Sequence, residues 1–283
     1  MTDKQQTWTE EIKSQNTLFS INIKEIWKYR DLLLMLVKRD YVTFYKQTIL
    51  GPIWFFVQPI LTMLLYILLF GKIAKIQIGP VPPIAFYLSG IIIWNYFSEA
   101  LTKTSTVFKD NANLFGKVYF PRLIMPLAIV VSGLMKFAIQ FGLFLFVILY
   151  YTFIDIKIHP NMWVLLTPIL VLLMAIFALG LGMIFSSLTT KYKDLVFLLA
   201  FGIQLFMYAT PVVYPSSAMP PRFSWLLHFN PLTGIFECFR FAYLGTGSFQ
   251  AVDLLLSSTL IFILFIIGVL IYNKVEKSFM DTV

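Results

Sequence analysis

Long apolar runs alternate with short polar segments along most of the chain. A helix of roughly 20 apolar residues crosses a bilayer core about 30 Å thick, because each residue rises about 1.5 Å. Six runs are long enough, and they lie near residues 49–70, 84–103, 121–151, 162–188, 195–214 and 254–272. The pattern predicts an all-α integral membrane protein with six transmembrane helices, in a transmembrane domain covering residues 49–283.

The segment before the first run, residues 1–48, is polar and of mixed charge. It predicts a cytoplasmic N-terminal segment, because a cleaved signal peptide would have a short basic start followed at once by an apolar stretch. Residues 23–45 have a helical period, which predicts an amphipathic and broken helix along the inner membrane surface. Its apolar face holds Ile23, Ile26, Trp27, Leu34, Val37, Tyr41, Phe44 and Tyr45, opposite Lys24, Lys28 and Arg39.

The alternative for residues 23–45 is an ordinary helix that packs on a partner protein. Arg30 interrupts the apolar stripe and favours a protein contact at that point. The candidate interfacial residues are Trp27, Arg30, Asp31 and Arg39.

The segment between the fifth and sixth runs is the least regular part of the chain, because prolines recur from Pro211 to Pro231. Its apolar stretch 232–244 is short for a span and carries Glu237 and Arg240. We therefore expect residues 215–250 to form an external re-entrant pair of short helices, since broken backbone at membrane depth must lie against protein or water.

Composition agrees with a membrane protein and gives its orientation. Hydrophobic residues make up 59% of the 283 residues and charged residues 13%, against about 25% charged in soluble domains. Sixteen Lys and Arg residues fall at the ends and in the even-numbered loops, against five on the opposite side. This bias predicts that both termini are cytoplasmic. It also explains the net charge of +8 by topology and anionic lipid, without nucleic acid.

Two of the predicted spans carry charged residues. Ser132, Lys136 and Gln140 follow one another at four-residue spacing in the third span, which places Lys136 near mid-membrane. Glu99 in the second span lies at a compatible depth. A charge inside a membrane needs a partner, so we expect a Glu99–Lys136 polar pair, with either a structural role or a direct role in substrate contact.

The chain has none of the usual patterns for nucleotide or metal chemistry. A phosphate-binding loop needs G-x-x-x-x-G-K-[ST]. Neither Gly71-Lys72 nor Gly116-Lys117 is followed by Ser or Thr. His159 and His228 stand alone, and no acid–base constellation is evident. We expect no catalytic residues, no metal site and no cofactor on this chain, so energy for uphill transport must come from a partner.

Three groups of residues form recognisable motifs in chain order. The first comprises Arg39-Asp40, Tyr45 to Trp54 and Gln58-Pro59; the second comprises Asn111 to Leu114, Lys117 to Arg122 and Pro126; the third joins Tyr208 to Tyr214 with Asn230 to Thr233. Between about residues 22 and 275 the chain thus resembles the ABC-type polysaccharide and polyol-phosphate export permeases. It departs from them at Phe44, where the family usually has a basic residue.

The resemblance implies an ATP-driven exporter that moves lipid-linked polysaccharide, of O-antigen, capsule or teichoic-acid type, across a bacterial inner membrane. It implies a homodimer with two copies of a cytoplasmic ATP-binding subunit, on which ATP and Mg would be bound. The coupling helix of the family corresponds to the loop 109–119. Candidate contacts with the ATPase subunit are Lys109, Asn111, Asn113, Leu114, Phe115 and Lys117.

The resemblance also makes the first and fifth spans the expected channel walls. Aromatic rings can pack on the C–H faces of sugars, and amides offer exchangeable hydrogen bonds. The channel-lining candidates are Trp54, Phe55, Gln58, Tyr66, Phe206 and Tyr208. The alternative is that each ring faces lipid, the interface or the core.

Three other functions remain open on the residues alone. One is an ABC permease for drugs or small lipids. Another is a membrane-embedded transferase using Glu99, Lys136 or Glu237, which would need clustered acid–base residues. An ion channel is the third.

Overall fold

The computed structural model describes residues 23–46, 51–115, 120–154, 158–247 and 249–282. All regular structure in those ranges is helical, which confirms the all-α class. The helices are α1 Ile23–Lys28, α2 Arg30–Lys46, α3 Trp54–Tyr66, α4 Pro83–Ser105, α5 Val107–Asp110, α6 Ala112–Phe115, α7 Ile124–Phe153, α8 Thr167–Lys191, α9 Leu195–Ala209, α10 Ser224–Phe229, α11 Thr233–Leu244 and α12 Ala251–Thr282. Helix α3 continues as a π-helix over Ile67–Ile73, and 3-10 turns occupy Gly51–Ile53, Met162–Leu166, Ser216–Ala218 and Pro221–Phe223.

Five helices in the described ranges are long and apolar enough to cross a membrane. They are Trp54–Ile73, Pro83–Ser105, Ile124–Phe153, Met162–Lys191 and Ala251–Val275. They correspond to the first four and the last of the predicted spans, with ends that differ by a few residues.

The predicted fifth span, 195–214, is shorter in the structure. Helix α9 has 15 residues, which rise about 22 Å, and it ends at Ala209. Thr210 is extended, with φ −103° and ψ 143°, because the proline that follows it disfavours the helical conformation. The apolar residues after Thr210 belong to the irregular segment that leads to α10.

Helix α4 forms the centre of the bundle and contacts α3, α7, α8, α9 and α11. Of the 18-residue apolar stretch of α4, 78% of the residues are buried. In α3 with its π-helical extension, 17% of the corresponding stretch is buried. Helix α4 is therefore surrounded by protein, and α3 lies at the periphery. We call the end of the bundle where α4 leads into α5 the α5 end, and the opposite end the α11 end.

Small residues on α8 allow two close helix contacts. A Cβ added to Gly180 would lie 2.7 Å from the Cα of Phe265 in α12, and a Cβ on Gly268 would meet the carbonyl oxygen of Gly180. On another face, a Cβ on Gly182 would lie 2.5 Å from Thr104 of α4. Ala178, Gly182 and Ser186 recur every four residues along α8. Small residues at this spacing let helix backbones approach closely, and Gly182 makes such a contact with α4.

The N-terminal helices are separated at Tyr29, and α2 packs on α7. The residue of α2 buried in this contact is Leu36, which is 4% exposed. Trp27 and Leu34, both on the predicted apolar face, are 68% and 60% exposed. Leu36 is not among the residues assigned to that face. Residues 32–37 are all apolar, so periodicity alone does not select the side that packs on α7, and the position of the apolar face at the membrane surface stays a prediction. Residues 1–22, 47–50 and 116–119 of the predicted segments lie outside the described ranges.

Candidate functional site

Three charged side chains meet between α4 and α7 near the α5 end. Lys136 Nζ donates to Glu99 Oε2 at 2.7 Å, and Lys103 Nζ donates to Glu99 Oε1 at 2.8 Å. Side-chain exposure is 29% for Glu99, 20% for Lys136 and 61% for Lys103. The expected Glu99–Lys136 pair is present. Lys103 was missed in the sequence, although its four-residue spacing from Glu99 is the usual spacing of helical ion pairs.

The ion-pair cluster lies in the half of α4 that is nearer the α5 end. Glu99 is about 9 Å along α4 from its last residue, Ser105, at 1.5 Å per residue. The ring of Phe55, the second residue of α3, has its centroid 5.9 Å from Lys136 Nζ. Lys136 is the 13th of the 30 residues of α7, so its position near mid-membrane stays a prediction.

Helix α2 adds a second ion pair beside the first. Arg39 Nη2 lies 2.8 Å from Asp40 Oδ1, and Ser132 Oγ lies 3.4 Å from Asp40 Oδ2 in a long hydrogen bond. Ser132 is one turn from Lys136 on α7, so the predicted stripe of α7 contacts α2 and α4 with successive residues. At the junction of α1 and α2, Arg30 lies 5.5 Å from the ring centroid of Trp27 and 3.8 Å from the carboxylate of Asp31. All three side chains are exposed.

The predicted coupling loop begins with two single-turn helices. Thr106 Oγ1 donates to Asp110 Oδ2 at 2.6 Å, and Asn111 Nδ2 donates to the carbonyl of Val107 at 3.0 Å. On the inner side, the ring of Phe108 stacks on Tyr272 of α12 with centroids 4.7 Å apart. Helix α5 is therefore anchored to the core by one face and exposes the other.

The candidate ATPase contacts of this loop differ in position. Lys109 is exposed, and Asn111 and Leu114 are half-buried. Phe115 is 5% exposed and packs on Phe120 with centroids 5.7 Å apart, so its ring supports the segment from inside and does not offer a surface contact. Lys117 and the side chain of Asn113 lie outside the described part of the chain.

The six channel candidates also divide into two groups. Trp54 and Tyr208 are 43% and 47% exposed, and Gln58 is exposed. Phe55 is 6% exposed. Phe206 packs on Trp94 and Phe97 of α4, and Tyr66 donates a hydrogen bond to Met207 Sδ at 3.3 Å. Phe55, Phe206 and Tyr66 pack within the bundle because α3 and α9 flank the central helix. Of the six candidates, Trp54, Gln58 and Tyr208 are the ones with exposed side chains.

Arg240 organises the α11 end. Its Nη1 donates to the carbonyl oxygens of Pro211 and Tyr214, at 2.6 and 3.2 Å, and its Nη2 donates to that of Val212 at 2.6 Å. The guanidinium lies 4.0 Å from the ring centroid of Phe86. Burial lowers the pKa of Arg240 to about 10, and nearby Glu237 opposes that shift, so the group is charged at neutral pH.

A glycine allows this segment to approach α4. A Cβ on Gly90 would meet the carbonyl oxygen of Val212 and lie 3.0 Å from Arg240 Nη2. Only a residue without a side chain leaves room for the loop and the guanidinium together.

Asn230 joins the two halves of the third sequence motif, Tyr208 to Tyr214 and Asn230 to Thr233. Its Nδ2 donates to the carbonyl of Ala209 at 3.1 Å and to Thr210 Oγ1 at 2.8 Å, and its Oδ1 accepts from the backbone N–H of Leu232 at 2.9 Å. The residues after α9 and those before α11 are thus one hydrogen-bonded unit. Both motifs and Arg240 are recognisable in the sequence, but the contacts between them are not evident from it.

The described residues contain no group of three or more His, Cys, Asp or Glu side chains that could hold a metal ion. The arrangement offers ion pairs, hydrogen bonds and aromatic surfaces, which suit binding and movement of a solute.

Comparison with known proteins shows which family this sequence belongs to. The sequence model of the ABC-2 type transporter family matches residues 31–244, from α2 to the end of α11. The chain is 29% identical over 252 residues to the O-antigen export system permease protein RfbA of Klebsiella pneumoniae, covering 89% of this chain and 94% of the relative. It is 30% identical over 220 residues to the protein of that name from Myxococcus xanthus, covering 77% and 82%.

A more distant relative is the inner membrane transport permease YadH of Escherichia coli K12, at 24% identity over 198 residues, with 67% of this chain and 75% of the relative covered. The three motifs identified in the sequence fall largely within the region matched by the family model, and the match covers well over half of the chain. The protein therefore belongs to the ABC-2 type transporter family.

Proposed function

We propose that this protein is the membrane-spanning subunit of an exporter that moves lipid-linked polysaccharide from the cytoplasm across the inner membrane. The observation that carries the proposal is its similarity, over most of its length, to relatives named as O-antigen export permeases in two organisms. The cargo is a glycan of O-antigen, capsule or teichoic-acid type on a lipid carrier.

The working unit in this proposal is a homodimer with six spans in each protomer. Helix α9, together with the segment tied to Arg240, completes the fifth crossing, and α10 and α11 form the external re-entrant pair. The bias of Lys and Arg supports cytoplasmic termini, which puts the α5 end in the cytoplasm. Helices α1 and α2 then lie at the inner membrane surface.

The energy comes from two copies of a separate ATP-binding subunit, which hold ATP and Mg. The exposed face of α5, with Lys109 and Asp110, is the contact for that subunit. The opposite face stacks on Tyr272, so a displacement of α5 is passed to α12.

The exposed polar and aromatic residues of the outer spans form the glycan path between the two protomers. Trp54, Gln58 and Tyr208 are the candidates that line this path, because their side chains are exposed in the single protomer. Rings and amides of this kind hold a polymer weakly at many registers, so it can slide.

Deletion of the gene tests the proposed cargo. Surface polysaccharide is expected to disappear while its lipid-linked precursor accumulates inside the cell, and the purified permease is expected to carry an ATPase with it. Normal surface polysaccharide combined with increased sensitivity to small toxic compounds would instead indicate a drug permease.

A pair of matched variants tests the glycan path. Tyr208→Ala is expected to lower surface polysaccharide several-fold at unchanged permease levels. Tyr150→Ala is the control, because Tyr150 is also exposed, at 56%, but lies on α7. Equal export by both variants would remove Tyr208 from the path.

A further inference from the structure

Two adjoining cavities lie at the α11 end of the bundle. One has a volume of about 170 Å³ and is enclosed by α10, α11 and the start of α12. The other, of about 320 Å³, lies against Arg240 and the loop before α4. They share the lining residues Ser216, Ser217 and Glu237. The larger volume reaches the lower end of the range for small-molecule sites, roughly 300 Å³.

The smaller cavity is lined mainly by groups that exchange hydrogen bonds with hydroxyls. Its carboxylates are Glu237 and Asp253, and its hydroxyl and amide groups include Ser224, Thr233, Gln250 and Ser257. Such a wall can accept from and donate to the same ligand at several points.

Two buried polar atoms beside the cavities have no hydrogen-bond partner among the described residues. They are Thr233 Oγ1, on the wall of the smaller cavity, and Arg240 Nε, on a residue that lines the larger one. A buried polar atom without a partner costs about 1–3 kcal/mol, and native proteins usually satisfy such atoms. Neither atom is exposed to the cavity in this conformation, so a hydroxylated ligand supplies the missing partner only when the side chain shifts towards it.

One wall of the smaller cavity is aromatic. Phe249 lines it, and its ring is held by Trp163, with centroids 5.0 Å apart, and by Phe241, with centroids 5.6 Å apart. A fixed ring next to hydroxyls and carboxylates matches a pyranose, which has an apolar C–H face and a polar rim.

The charges favour an uncharged sugar. Glu237 and Asp253 both line the cavity, and an anionic ligand would be repelled by them. His228 Nδ1 lies 3.6 Å from Asp253 and its side chain is 64% exposed. The two terminal guanidinium nitrogens of Arg240 are occupied by backbone carbonyls.

We infer that the paired cavities at the α11 end bind uncharged pyranose units, such as neutral or N-acetylated hexoses, of a glycan that leaves the transporter. This inference rests on the proposed function for the direction of travel, because it places the cavities at the external exit. The binding itself depends only on this chain.

The test measures saturation-transfer NMR of the full-length permease in lipid nanodiscs with three probes: methyl β-D-glucopyranoside, N-acetylglucosamine and glucuronic acid. The two uncharged sugars are expected to bind and glucuronic acid to bind more weakly. Thr233→Val and Asp253→Asn are each expected to weaken binding about threefold to tenfold, the effect of one hydrogen bond.

Thr104→Val is the matched control. Thr104 Oγ1 is also buried without a partner among the described residues, but it faces Gly182 inside the bundle. It should leave sugar binding unchanged. Thr233→Val should leave the melting temperature equal or slightly higher, because it removes an unpartnered hydroxyl without leaving a cavity.

Unchanged binding in a Thr233→Val/Asp253→Asn double variant would overturn the inference, as would preference for glucuronic acid or a clear loss of stability in Thr233→Val. If export depends on the gene but no sugar binds, the cavity assignment fails and the proposed function stands. If sugars bind but surface polysaccharide is independent of the gene, the proposed cargo fails instead.

Discussion

The two ends of the bundle hold charge in different ways. At the α5 end, Glu99 accepts from Lys136 and Lys103, and all three side chains have some exposure. At the α11 end, Arg240 is 3% exposed and donates to three backbone carbonyls. Side-chain partners can change rotamer, whereas the backbone carbonyls of a packed segment are fixed. The α5 end can therefore exchange partners, whereas Arg240 holds the segment after α9 in one conformation.

The largest loss of stability is expected when the charge at the α11 end, that of Arg240, is removed. Arg240→Ala leaves the carbonyls of Pro211, Val212 and Tyr214 without their donor. At about 1–3 kcal/mol for each buried unsatisfied group, the loss is about 3 kcal/mol or more. Thermal unfolding of the detergent-solubilised protein, followed by size-exclusion chromatography, measures it.

Two further variants define the Arg240 effect. Arg240→Lys should give an intermediate loss, because an ammonium lacks the planar fork that reaches several carbonyls. Arg222→Ala, in the same segment but exposed, should leave stability unchanged. Equal stability of Arg240→Ala and Arg222→Ala would mean that the carbonyl contacts do not hold the segment.

The ion-pair cluster should respond less strongly and in a set order. Glu99→Gln removes the shared acceptor of two lysines and is expected to cost about 2 kcal/mol. Lys136→Met should cost about 1 kcal/mol, because Lys103 still neutralises Glu99. Lys103→Met should cost least, because Lys103 is 61% exposed.

Unfolding of these three variants and of the Glu99→Gln/Lys136→Met double variant gives the coupling energy directly. A Lys136→Met loss larger than that of Glu99→Gln would contradict the shared-acceptor arrangement.

The smallest effect is expected at Asp40. Asp40→Asn keeps an acceptor for Ser132 and removes only the pairing with Arg39, whose side chain is 52% exposed. Exposed pairs contribute about 0–1 kcal/mol, so the melting temperature should fall by no more than about 2–4 °C. A loss as large as that of Glu99→Gln would place Asp40 in the same cluster energetically.

The sequence was most informative where one physical quantity decides the outcome. Continuous apolar length located the five long helices, and the four-residue spacing on α7 identified the partner of Glu99. The end of α9 was missed because residues 211–214 remain apolar after the helix stops. The contacts that fix this segment come from Asn230 and Arg240, 20 or more residues further along the chain.

The candidate channel residues were predicted less well for a different reason. Phe55 and Trp54 are neighbours of one type, yet one is buried and the other exposed. Which of the two faces the bundle depends on the rotation of α3 against α4. Apart from Gln58 and Thr62, the residues of α3 are apolar, so its pattern gives little information about that rotation. The cavities at the α11 end were missed because each of them is lined by four segments that are separate in the sequence.

The uninterrupted length of α12 has a mechanical consequence. Asp253 and Ser257, in its first two turns, line the smaller cavity. Tyr272, about 22–28 Å further along the helix axis, stacks on Phe108 of α5. Because Gly180 and Gly268 bring α8 and α12 into backbone contact, the two helices form a stiff double rod. A rigid-body tilt of α5 that keeps the Phe108–Tyr272 stack would then be transmitted along α12 towards its residues in the cavity wall.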